Sequence, residues 1–182
     1  MSRADFDEFV KRQRTEETKA TAFDPKRQLA EWLEYLDHLY KTIEGFLASY
    51  IADGTARIEF ESFLLNEEFS GPYEARRMNL HIANSVVVFE PIGTMLIGAK
   101  GRVDVIGPRG RARLSLVNWK VTNARQLIQV RVSINGKPPT PLEPKSETIG
   151  WVWKIITPAP DMNFLDLTED NFFNMILGVA DA

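Results

Sequence analysis

Cysteine is absent from the 182-residue chain, which excludes disulfides, thiolate metal sites and cysteine nucleophiles together. A chain without cysteine is compatible with the cytoplasm, the location expected for it. Histidine is scarce: His38 falls on the charged side of a helix and His81 on the polar parity of a strand. Neither has a nucleophile or metal partner at a telling spacing, so both are expected at the surface and no metal or cofactor is expected. No apolar run approaches the roughly 20 residues that span a bilayer, and no membrane partner is expected. Met1 to Arg27 mixes seven basic with six acidic residues and lacks the apolar stretch of a secretory signal.

What is present is ordinary globular composition, 44 % apolar and 26 % charged, in a length that suits one core. Residues 24–182 are expected to form a single α+β domain, with residues 1–23 a mobile or partner-ordered segment. Leu29, Trp32, Leu36, Leu39, Ile43, Phe46 and Tyr50 recur at helical spacing between Pro25 and Asp53. Asp24 can cap that helix, Pro25 suits its first position, and Gly54 can stop it. The wide stripe, which also takes in Leu33, Tyr40 and Leu47, predicts a helix lying on a sheet. Pairing of two copies through this helix, or through a sheet edge, is the form a homo-oligomer would take.

After Gly54 the period drops to two. Ile58, Phe60 and Leu64 alternate with Arg57, Glu59 and Glu61, and Met78, Leu80 and Ile82 with Asn79, His81 and Ala83 before the denser run Val86 to Phe89. Turns are expected at Ser70-Gly71-Pro72 and at Glu90-Pro91-Ile92-Gly93, with a further strand from Met95 to Ile106. Gly107-Pro108-Arg109-Gly110 reads as a type I turn. In-register closure there pairs Val105 with Ala112 and Val103 with Leu114 on one face, and Asp104 with Arg113 and Arg102 with Ser115 on the other. A bulge after Gly110 would oppose apolar to polar residues, so none is expected. Strands over Gln126–Ile134 and Ile149–Thr157 follow, joined by a stiff loop carrying Pro138, Pro139, Pro141 and Pro144. Thr168 can cap a last helix, Glu169 to Val179.

The pattern predicts an α+β fold: a long N-terminal helix packed on a curved, mainly antiparallel sheet of about six strands, with a short C-terminal helix. Trp32, Trp151, Trp153, Phe60, Phe172 and Phe173 are the core candidates. An apolar pocket between the layers is the expected ligand site of such an architecture.

Charge is distributed unevenly behind a net of −3. Residues 100–131 hold eight Lys/Arg against Asp104 alone, so a segment of +7 sits in a body of −10. Strand parity gathers these side chains: Lys100 with Arg102; Arg111 and Arg113 with Trp119; Arg125 and Arg131 on the next strand. Arg102, Arg111, Arg113, Trp119, Arg125 and Arg131 are therefore the candidate binding residues, facing an anionic ligand or an acidic protein surface. Arginines around an exposed tryptophan also resemble a single-stranded nucleic-acid surface, the second reading. The ordinary alternative is a solvated sheet face whose arginines are neutralised by Glu59, Glu61, Glu67 and Glu68.

Catalytic signatures are wanting. Gly93 to Lys100 fails the phosphate-loop spacing because Ala99 stands where lysine is required. Gly98-Ala99-Lys100-Gly101 has the Gly-x-x-Gly form of a helix-flanked RNA-binding loop but lies in a strand context, so Gly98 and Gly101 are expected to mark a bulge or bend. Glu59 and Glu61 project from one strand face and, with Glu90, could form a carboxylate pair in a small hydrolase or lyase, the third reading. The expectation is a non-enzymatic binding or interaction protein that uses either the interlayer pocket or the basic sheet face.

Overall fold

The computed structural model describes Asp7 and residues 24–68, 70–94, 98–127 and 150–181. The elements run α1 (Pro25–Phe46), α2 (Ala48–Ala52), β1 (Ala56–Glu67), β2 (Gly71–Ile82), β3 (Ser85–Gly93), β4 (Ala99–Ile106), β5 (Arg111–Asn118), a 3-10 turn (Ala124–Leu127), β6 (Trp151–Ile156), β7 (Phe164–Asp166) and α3 (Glu169–Ala180). The seven strands of the described residues form one antiparallel sheet in sequence order, β1 at one edge and β7 at the other. The α+β architecture read from the pattern is the one observed, with one more strand than expected. The segment 1–23 apart from Asp7, the strand expected beyond Leu127, Arg131 and the proline-rich loop lie outside the described residues.

The Asp24 carboxylate accepts from the backbone N–H groups of Lys26 and Arg27 at 3.1 and 3.3 Å, satisfying donors that have no intrahelical partner. The stripe then buries Trp32, Leu36, Leu39, Tyr40 and Ile43 against the sheet. The helix is interrupted at Leu47, two residues beyond Gly45, the weakest helix former in the stretch. Polar bonds also tie α1 to the sheet: the Tyr40 hydroxyl donates to the Arg76 carbonyl at 2.5 Å, and the Trp153 indole donates to the Tyr35 carbonyl at 3.0 Å. Trp32, Trp153 and Phe172 are buried as expected, while Trp151, Phe60 and Phe173 pack at the core margin. Between α1 and β6 lies a cleft of about 780 Å³, lined by Glu31, Tyr35, His38, Lys100, Trp151 and Trp153.

Register explains where the pattern misled. Ser85 pairs with Ile82, so Ala83-Asn84 turns the chain between β2 and β3 inside what reads as one strand. Ala83 takes a positive φ of 49°, a conformation usually announced by glycine or asparagine at that position, so alternation ran through the turn unmarked. Glu90-Pro91-Ile92-Gly93, expected as a turn, continues β3, and its irregularity is a bulge between Pro91 and Gly93. The hairpin at Gly107–Gly110 closes as predicted, with Val105 opposite Ala112, Val103 opposite Leu114 and Asp104 opposite Arg113. The Gly107 N–H donates to the Gly110 carbonyl at 2.9 Å.

β1 and β2 stay paired over twelve positions, but β3 reaches β2 only from Met78 to Ile82. Beyond that overlap the covered parity changes. Tyr73 and Ala75 are buried and Leu64, expected inside with Ile58 and Phe60, is 68 % exposed. The Glu67 carboxylate holds this end: it accepts from the Tyr73 hydroxyl at 2.6 Å, the Thr94 N–H at 2.9 Å and the Thr94 hydroxyl at 2.5 Å. No helix among the described residues is long and apolar enough to cross a membrane.

Candidate functional site

Arg111 and Arg113 stand two residues apart on β5, so their side chains leave the same face about 7 Å apart along the strand. Both are exposed, and neither forms an ion pair or side-chain hydrogen bond among the described residues. The carboxylate nearest in register is Asp104, opposite Arg113, yet it is committed elsewhere. Arg102 binds it through two parallel bonds, Nε to Oδ1 at 2.6 Å and Nη2 to Oδ2 at 2.8 Å. Asp104 is 8 % exposed, and the fork-to-carboxylate geometry meets the cost of burying its charge. Arg113 is thereby left without a counter-ion among the described residues.

These residues line a cleft of about 680 Å³. Arg102, Asp104, Arg111 and Arg113 supply its charged part, Ile156 and Met175 apolar surface, and Asn171 and Asn174 of α3 neutral amides. Three arginines against one aspartate leave the cleft cationic. Lys154 lies nearby on β6, buried at 4 % exposure, and was not singled out by sequence reasoning. Its ammonium donates to the Trp119 carbonyl at 3.0 Å and faces Asp166 at 3.1 Å, so it is consumed by the fold. Asn171 and Asn174 were also missed, because they come from an element distant in sequence and carry no charge.

The other candidates do not join this cleft. Trp119 follows the end of β5, in a turn rather than on the strand, and is 54 % exposed. At about 3.3 Å per residue it lies roughly 20 Å from Arg113 along the strand direction. Arg125 sits in the 3-10 turn Ala124–Leu127, where the pattern placed a strand. The neighbour of β5 is β6, so the three-strand basic surface does not form as drawn from parity. Lys100 also departs from it. A bulge between Ala99 and Gly101 removes Lys100 from the ladder, and its ammonium meets Glu31 of α1 at 2.8 Å and lies 5.2 Å from the Trp151 ring centre. The hydrogen bond from Lys100 holds the Glu31 carboxyl below its usual range.

Of the acidic residues expected to neutralise the arginines, Glu59, Glu61 and Glu67 are occupied on β1–β3. Glu59 binds Arg57 and the His81 Nε2, Glu61 binds Arg77 and Asn79, and Glu90 lies 3.4 Å from Arg77. Arg77 lowers the Glu61 carboxyl from its ordinary value through that hydrogen bond. Glu59, Glu61 and Glu90 thus form a cross-strand ion-pair ladder, outside the cleft at Arg111 and Arg113. Among the described residues no group of three or more His, Asp or Glu side chains is placed to hold a metal ion.

Fold and site together describe an α+β protein with a helix on an antiparallel meander and a cationic cleft beside its C-terminal helix. No protein-family model matches the chain, no curated protein matches it, and no solved structure matches it.

Proposed function

We propose that this is a non-enzymatic binding protein that takes an anionic ligand in the cleft at Arg102, Arg111 and Arg113. The observation that carries the reading is the state of Arg111 and Arg113: two guanidinium groups in a concave site, without partners among the described residues, while Glu59, Glu61, Glu67 and Glu90 are engaged elsewhere. Guanidinium forks match carboxylate and phosphate oxygens in bidentate fashion, and the Arg102–Asp104 pair holds the floor of the cleft in place. Asn171 and Asn174 add neutral donors that would select among anions by shape.

The reading is tested by calorimetric titration with pyrophosphate, hexaglutamate and a short thymidine oligonucleotide, at low and at physiological salt. Pyrophosphate or hexaglutamate is expected to bind, more weakly as salt rises, and Arg111→Ala/Arg113→Ala is expected to lower the affinity at least tenfold. Equal binding by the wild type and the double variant would remove the site. Preferential binding of the oligonucleotide, lost on Trp119→Ala, would favour the nucleic-acid reading instead.

A further inference from the structure

The two edges of the sheet are built differently. β7 is three residues long, which leaves little backbone for another chain to pair with. β1 is twelve residues long, lies at the opposite end of the strand order, and is in unbroken register with β2 over its whole length. It has no proline, no lysine and no bulge, and of the devices that blunt an edge it carries only charge, at Arg57, Glu59, Glu61 and Glu67. It also exposes apolar surface, Leu64 at 68 % with Phe60, Phe63 and Leu65 partly covered. A groove lined by Ile51, Ala56, Ile58 and Phe60, with Glu44 and Arg57, runs beside its first half.

We infer that β1 is the contact edge of a two-fold dimer, in which the β1 strands of two copies pair antiparallel with Ser62 on the axis. The charge pattern of the strand selects the occupant and the register. A two-fold axis normal to the sheet opposes each parity to itself, so every allowed pairing is centred on one residue. Centring on Arg57, Glu59 or Glu61 stacks that charge on its own copy. Centring on Phe60 opposes Glu59 to Glu61, on Phe63 Glu59 to Glu67, and on Leu64 Glu61 to Glu67. Like charges directly opposite are destabilising. Centring on Ile58 or Leu65 avoids them but pairs only five positions of the strand.

Centring on Ser62 pairs eleven positions, Arg57 to Glu67, without one like-charge contact. It sets Arg57 opposite Glu67, Phe60 opposite Leu64 and Glu61 opposite Phe63, each twice by symmetry. The exposed Leu64 thereby gains an aromatic partner, and the two sheets join into one, with both helical layers on the same side.

The full chain has no cysteine, so directed crosslinking reads this register cleanly. Light scattering is expected to give twice the 20.7 kDa chain mass for the wild type, and one chain mass for Leu64→Lys, whose site is too exposed to disturb the fold. Ser62→Cys is expected to form an intermolecular disulfide under mild oxidant, since directly opposed strand residues lie within disulfide range, and Ile58→Cys is not. A monomeric wild type at high micromolar concentration would overturn the inference. So would a dimer indifferent to Leu64→Lys, or crosslinking through Ile58→Cys in place of Ser62→Cys.

Discussion

Gly101 shows how one missing side chain sets the packing of the largest core residue. It lies in the bulge of β4 with the Trp32 ring directly against it, and a methyl group built there would overlap the ring. Trp32 is 2 % exposed and cannot turn aside into solvent. Gly101→Ala is therefore expected to cost about 1–3 kcal/mol by overpacking, read as a lower urea midpoint with an unchanged slope. Gly110→Ala is the control: its nearest neighbour, the Gly178 carbonyl, is at 3.6 Å, and little change is expected. Sequence alternation marked Gly98 and Gly101 as a bend, but which residue occupied the space above Gly101 required the tertiary fold.

Two tyrosines give the protein an alkaline limit. Burial raises the Tyr40 hydroxyl above its usual value of 10.0, and burial together with the Glu67 hydrogen bond raises that of Tyr73. An acid whose folded pKa is raised lends stability that is complete below the unfolded value and lost as pH rises past it. Stability is thus expected to be flat in this respect up to about pH 10 and to fall above it. Tyr73→Phe is expected to lose stability at pH 7, where the bond to Glu67 disappears, yet to show a shallower decline above pH 10. Chemical denaturation across that range measures both, and a parallel decline in the two proteins would refute the assignment.

At the scale of elements, α1 carries opposed contributions at its two ends. Asp24 caps two backbone donors at the start, and Asp24→Ala is expected to cost about 1 kcal/mol. Gly45 sits just before the break at Leu47, and a methyl group added to it would meet nothing within 4 Å, so Gly45→Ala is expected to stabilise by about 0.5–1 kcal/mol. Thermal melts of the two variants should move in opposite directions. The helix was legible because its apolar period, cap residue and stop glycine agree with one another. The β4–β5 hairpin was legible for the same reason, since turn chemistry and face pairing selected one register. The β2–β3 turn was not, because Ala83-Asn84 lacks the glycine that would have broken the alternation. β7 is too short to carry a period at all.

Over the whole molecule, charge separates into two systems. On β1–β3 Glu59, Glu61 and Glu90 close on Arg57, Arg77 and His81, whereas on β4–β5 the Arg102–Asp104 pair leaves two arginines over. The sequence showed the excess of positive charge in residues 100–131 without showing how it divides. Lys100 turns to α1 through a bulge, Trp119 falls beyond the strand end, and Arg125 enters a 3-10 turn. Parity counting could not foresee those three departures, because each depends on where a strand ends or slips. The asparagines of α3 that complete the cleft are brought there only by the docking of the last helix on β3, β5 and β6.

The most direct measurement is an NMR titration with pyrophosphate that follows the arginine Nε–Hε resonances. Binding in the cleft predicts that the Arg111 and Arg113 signals shift together and saturate while those of Arg76 and Arg77 remain in place. Shifts confined to other arginines, or none at concentrations that bind by calorimetry, would contradict the account.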